Sequence, residues 1–157
     1  MSTPVVINGT TYSLPTQGQS PPWGDDLSSL LLTLINVTNS LSGPADITTT
    51  SFTIANNVST PTSITGLSFD TASVRSATIT YSLYRGSSTT ETSETGQLMI
   101  TYKSTAGTWE LGQFLVGSSG VVFTITNSGQ IQFTSSSFTG INYVGKLKFK
   151  ASAFLQT

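Results

Sequence analysis

The residues best suited to chemistry in this chain are a row of lysines near its C-terminal end and a few carboxylates. Lys146, Lys148 and Lys150 stand two positions apart, so in a strand their ammonium groups share one face. Such a row fits an anionic partner, either an acidic surface polysaccharide or the acidic edge of a neighbouring subunit. It equally fits an edge strand guarded by lysine against edge-to-edge pairing. Glu91 and Glu94 fall in Ser-Ser-Thr-Thr-Glu-Thr-Ser-Glu, residues 87–94, which reads as a polar hairpin tip. Two carboxylates among hydroxyls suit a calcium ion or a sugar, and they suit a plain solvated loop as well. Asp70 with Thr71 and Ser73 has the spacing of an Asx or ST turn. Trp109 opens a strand after a turn, as a sugar-stacking platform or as a core anchor would. Tyr84, Trp109 and Tyr143 would make an aromatic sugar site only if the fold brought them together.

Other chemistry is excluded by what the chain lacks. It has no Cys and no His, which removes thiol nucleophiles, imidazole bases, disulfides and thiolate or imidazole metal sites together. Hydrolysis would have to run on the seven carboxylates, Asp25, Asp26, Asp46, Asp70, Glu91, Glu94 and Glu110. A glycan depolymerase needs two of them facing across about 5–10 Å. No phosphate-binding loop, dinucleotide fingerprint or nucleophile elbow occurs. The expectation is a non-enzymatic protein with no cofactor and no metal. A net charge of −1 gives no footprint for nucleic acid. No apolar run reaches the roughly 20 residues of a membrane span, so no membrane insertion is expected. Met-Ser-Thr-Pro-Val-Val has neither a basic nor an apolar leader region, so no classical signal peptide is expected. The glycosylation sequons at Asn8, Asn36 and Asn57 are what chance supplies in a chain this rich in Ser and Thr. The absence of Cys fits folding in a reducing cytosol.

The elements that would position these residues are mostly strands. Charged residues make up 8% of the chain, against about a quarter in ordinary soluble domains, while Ser and Thr supply about a third. Strand faces painted with Thr and Ser carry the solubility instead. Strands are predicted at 51–58, 62–69, 75–86, 95–103, 108–116, 120–127, 129–135 and 144–154. Thr78–Tyr84 and Lys146–Lys150 alternate cleanly between polar and apolar. Eight strands with Gly, Ser, Asn or Pro at the breaks predict an antiparallel β-sandwich or jelly roll over 51–157. Asn127-Ser128-Gly129 predicts a tight hairpin turn.

Ahead of this head the period changes. Asp25 or Asp26 can cap a helix, and Leu27, Leu30, Leu31, Leu34, Ile35, Val37 and Leu41 recur at three- and four-residue spacing over 25–42. After its cap this helix carries no charge. It is either a core helix lying across a sheet or one strand of a short bundle between identical chains. Residues 43–50 read as a linker. Residues 1–24 form an arm in which Asn8-Gly9 separates two β-favouring runs, the signature of a two-residue hairpin. Pro15–Pro22 is an extended segment ending at Trp23. A large aromatic in such an arm plugs a pocket, its own or a neighbour's.

The order Val-Val-Ile-Asn-Gly-Thr-Thr-Tyr-Ser-Leu-Pro (5–15), Trp23-Gly24-Asp25-Asp26-Leu27 and an apolar helix resembles a segment of phage tail-fibre and head-fibre proteins. The later stretches Ser51–Asn57, Gly66–Asp70, Tyr81–Arg85, Gly107-Thr108-Trp109 and Gly120–Phe123 resemble a β-domain of phage virion proteins. The resemblance implies a homotrimeric structural protein of the virion surface, assembled in the host cytoplasm. Its size suits a capsid decoration protein or short head fibre. Val6, Asn8, Gly9, Tyr12 and Trp23 would then attach it to the major capsid protein or another virion protein, and the helix would cluster the chains. The head would cement the shell or face a host surface glycan. The alternative is a tail-fibre-type receptor-binding or carbohydrate-binding protein.

Overall fold

The computed structural model describes residues 3–7, 10–14, 31–35, 43 and 45–156, with side chains at 31–35, 43 and 45–156. The chain divides into two compact units, Met1–Gly43 and Pro44–Thr157.

In the first unit, β1 (Thr3–Ile7) pairs antiparallel with β2 (Thr10–Leu14). Ile7 lies opposite Thr10, so the two strands are separated only by positions 8 and 9, the spacing of a two-residue hairpin. Val6 and Tyr12 lie in these strands, whereas Asn8, Gly9 and Trp23 lie outside the described residues. A helical segment, α1, covers 31–35 inside the predicted helix. Leu31 and Ile35 are half-buried and Leu34 is exposed. Leu27, Leu30, Val37 and Leu41 lie outside the described residues.

The second unit is built of eight strands: β3 (Ile47–Thr53), β4 (Thr62–Ser68), β5 (Val74–Gly86), β6 (Glu91–Lys103), β7 (Thr108–Gly117), β8 (Val121–Ile125), β9 (Gln130–Ser135) and β10 (Val144–Leu155). They form two antiparallel sheets, one of five strands in the order β3-β10-β5-β6-β7 and one of three in the order β4-β9-β8. The predicted head of eight antiparallel strands is therefore present. It starts earlier than expected, because Ile47 already pairs with Ala151 inside the predicted linker.

Alternation builds the core. Along β5, Ala77, Ile79, Tyr81 and Leu83 point inward while Thr80, Ser82 and Tyr84 point out. Leu147, Phe149 and Ala151 do the same on β10, and Leu98 and Ile100 on β6. The smaller sheet answers with Ile64, Leu67, Val121, Phe123, Ile131 and Phe133. Aromatic pairs tie the sheets together, with ring centroids 5.2 Å apart for Tyr81–Phe123 and 5.8 Å for Phe52–Phe133. Each such side chain contributes roughly 1.5–3 kcal/mol through burial.

Two local features follow from particular residues. In β4 the ladder to β9 breaks between Ser63 and Ser68, where Gly66 takes a positive φ of 80° that a side chain would disfavour. The Gln130 side-chain Nε2, with two N–H groups to share, lies within hydrogen-bond distance of the carbonyls of Ile64 (3.0 Å), Leu67 (3.1 Å) and Ile131 (2.8 Å), so the bulge's carbonyls have a donor. The β8–β9 hairpin turns at Gly129, φ 83°, whose amide donates to the Thr126 carbonyl, as the sequence pattern predicted.

Candidate functional site

The outer face of the five-stranded sheet gathers the predicted surface residues. Lys146, Lys148 and Lys150 are exposed on it. They do not guard an edge, because β10 lies between β3 and β5. Lysine there protects no free hydrogen-bonding groups, and the edge-strand reading is corrected: the three ammonium groups run down the interior of an exposed face. Their spacing along the strand is about 6.7 Å.

Register places what surrounds them. Lys148 is flanked by Ser51 and Ser82, and the same row continues through Thr95 to Val116 on β7. Lys150 is followed by Thr80, Gln97 and Phe114. Two parallel rows therefore run lysine, hydroxyl, hydroxyl or amide, apolar, with about 14 Å between the ends. Phe114 is 69% and Val116 75% exposed. With Thr80, Thr95 and Gln97 they line a shallow depression of about 420 Å³. Tyr84 stands beside Lys146, half exposed, with its hydroxyl 3.5 Å from Glu91. The other carboxylate of this face, Glu110, is ion-paired with Lys103 at the far end.

The remaining polar candidates point the other way. Trp109 is 7% exposed and packs between Phe69 and Tyr102, with ring centroids at 6.4 and 5.0 Å. It is a core residue, which corrects its reading as a surface platform. Among the described residues its indole nitrogen has no hydrogen-bond partner. Glu94 is also no loop residue. It lies within β6 in register with Leu83, shares the inward side with Leu98 and Ile100, and is buried. The hairpin tip is limited to 87–90, where Ser87 Oγ accepts from the Thr89 and Thr90 amides. Asp70 forms the predicted Asx and ST turn, accepting from the Ala72 amide and the Ser73 hydroxyl, both at 3.0 Å.

Sequence reasoning missed the polar end of the core. Arg85 is fully buried. Its five N–H groups donate to Tyr143 Oη (3.0 Å), Ser119 O (2.6 Å), Ser136 Oγ (3.2 Å), Asn56 Oδ1 (3.2 Å) and Ser136 O (2.6 Å). The guanidinium also lies 4.9 Å from the Phe138 ring centroid and 5.5 Å from that of Tyr143, where ring faces favour a cation. Glu94 reaches the same Ser119 from its other side. Its Oε2 accepts from the Ser119 amide and hydroxyl, both at 2.9 Å, and its Oε1 accepts from Tyr81 Oη at 2.7 Å. Burial and this bond to Glu94 push the Tyr81 phenol above its ordinary pKa, while the Gln113 amide donating to it acts in the opposite direction. A buried cation and a buried anion are thus joined through one serine and fully hydrogen-bonded, which is what makes burying them tolerable. The signal was available: residues 77, 79, 81 and 83 point inward, so 85 must as well.

Tyr84, Trp109 and Tyr143 do not converge. They lie on the outer face, in the core and against Arg85, respectively. Among the described residues no group of three carboxylates could hold a metal ion.

No protein-family model matches the chain, and no curated protein matches it. Among solved structures it is similar to the tailspike protein of Acinetobacter phage vB_ApiP_P1, at 11% identity and a TM-score of 0.44. The match covers 68% of this chain and spans 22% of the length of that protein.

Proposed function

We propose that this chain is a non-enzymatic structural subunit of a tailed-phage virion surface, a capsid decoration or short head-fibre protein. Residues 1–24 attach it, the uncharged helix clusters three chains, and the β-head is displayed outward. Support comes from the ordered sequence segments that resemble phage fibre proteins and from one observation in the head. Its buried charges are fully occupied in holding loops: every N–H of Arg85 and both oxygens of Glu94 are engaged with the protein itself. What the head offers outward is a flat sheet of hydroxyls, lysines and a few apolar side chains, a surface suited to contact. Three weak arms on one trimer become a single avid attachment through effective concentration.

Adding purified protein to particles that lack it tests the attachment. The full chain should decorate them, and a variant lacking residues 1–22 should stay folded and β-rich but fail to bind. Retained binding at full occupancy by the truncated head would remove the arm from the proposal. Leu34→Asp should convert a trimer to monomers in sedimentation, and an unchanged assembly would return the helix to an intrachain role.

A tail-fibre-type receptor-binding protein is the second reading. The exposed lysine face of the head is the observation in its favour.

A further inference from the structure

We infer that the outer face of the five-stranded sheet is a binding site for an acidic oligosaccharide, laid from the lysines of β10 to the apolar wall of β7. This concerns the head alone and holds whether or not the chain belongs to a virion.

Charge states the first requirement. Three lysines lie in line; of the two carboxylates on that face, Glu91 lies at the Lys146 end beside Tyr84, and Glu110 is paired with Lys103 at the far end. The occupant must be anionic. A second copy of this chain does not supply the complement from its described residues. Asp46 accepts from the Ala153 amide, Asp70 closes its own turn and Glu94 is buried. None of these carboxylates forms a row matching the lysines.

The rest of the face separates a sugar from an acidic polypeptide. Between lysine and apolar wall each row carries neutral hydroxyl or amide groups, Ser82 and Thr95 in one and Thr80 and Gln97 in the other. Thr80, Ser82 and Gln97 can exchange hydrogen bonds with ring hydroxyls as donors or acceptors, while Thr95 Oγ1, which donates to the Tyr81 carbonyl at 3.0 Å, can accept. At the wall, Phe114 and Val116 present an exposed ring and a methyl surface to the apolar face of a pyranose. An acidic oligosaccharide of a few units can span the roughly 14 Å of a row and bears all three chemistries: anions, hydroxyls and C–H faces. A carboxylate side chain bears only the first.

The test titrates the full chain, followed by calorimetry and by amide shifts of β5, β6 and β10. The probes are oligogalacturonate, neutral dextran oligomers and poly-glutamate. Oligogalacturonate should bind, with affinity falling as salt rises. Dextran should bind at least about tenfold more weakly, as should K146Q/K148Q/K150Q with oligogalacturonate, since three exposed ion pairs are lost. Phe114→Ser should weaken oligogalacturonate several-fold and leave poly-glutamate unchanged. All these substitutions are on the surface, so folding is retained. Unchanged binding by the triple-lysine variant would overturn the site. Equal affinity for poly-glutamate, with no effect of Phe114→Ser, would overturn the sugar and make the face a dock for acidic protein. No binding of any of the acidic probes would overturn both.

Discussion

Two regions of the head carry charge, and they treat it in opposite ways. At the polar end of the core, Arg85 and Glu94 are buried, multiply hydrogen-bonded and joined through Ser119. On the outer sheet face, Lys146, Lys148 and Lys150 are exposed, flanked by neutral hydroxyl-bearing neighbours. The inner pair ties together loops that the strand ladders do not hold: the segments around Asn56, Ser119, Ser136 and Tyr143. The outer row stands on a strand that backbone pairing to β3 and β5 already fixes. Arg85 and Glu94 are thus inward and structural, whereas the three lysines of β10 face outward.

The sharpest way to break that contrast is Arg85→Met. The side chain fills similar space, but the carbonyls of Ser119 and Ser136 lose their donor. Removing one member of a buried charged network costs about 3–5 kcal/mol. Urea unfolding should show the loss, and Arg85→Lys should not restore it, because a point charge cannot reproduce the planar fork. A wild-type midpoint for Arg85→Met would mean the network is incidental.

Glu94→Gln should cost less, about 1–3 kcal/mol, because the amide keeps one acceptor but turns a donor toward Ser119 or Tyr81. Thermal unfolding of the folded variant measures this. Tyr81 adds a pH test. Its phenol is raised in the folded protein, so below the ordinary tyrosine value of about 10 both states hold the proton and its contribution is complete. Above that pH the unfolded chain ionises while the folded one resists. The melting temperature should therefore fall as pH rises past about 10, and fall less steeply in Tyr81→Phe. Equal slopes would remove Tyr81 from the linkage.

The smallest effect belongs to the outer row. K146Q/K148Q/K150Q should leave unfolding free energy within about 0.5 kcal/mol per site, as for surface positions without packed partners. A large loss would show that these lysines hold the fold.

The strands were legible because their signal is local. The run 75–86 was predicted from alternation, and β5 spans Val74–Gly86. The same alternation placed the lysines on one face. It could not place β10 sideways, because the chain returns from the smaller sheet to insert between β3 and β5, and strand order is a long-range property. Lysine on an unlocated strand therefore read as edge protection. Thr48, Thr49 and Thr50 read as linker because hydroxyl-rich residues suit both loops and exposed strands, and only pairing to β10 decides between them. Arg85 and Glu94 were legible in parity but were passed over. Their polarity suggested surface, while the inward positions of Leu83 and Leu98 pointed to the core.

Imaging of intact particles by electron microscopy, with this protein labelled, tests the proposed placement most directly. The expected result is regularly spaced threefold density on the outside of the particle, lost when residues 1–22 are deleted. Absence of the protein from purified particles, or density buried inside the shell, would contradict the proposal.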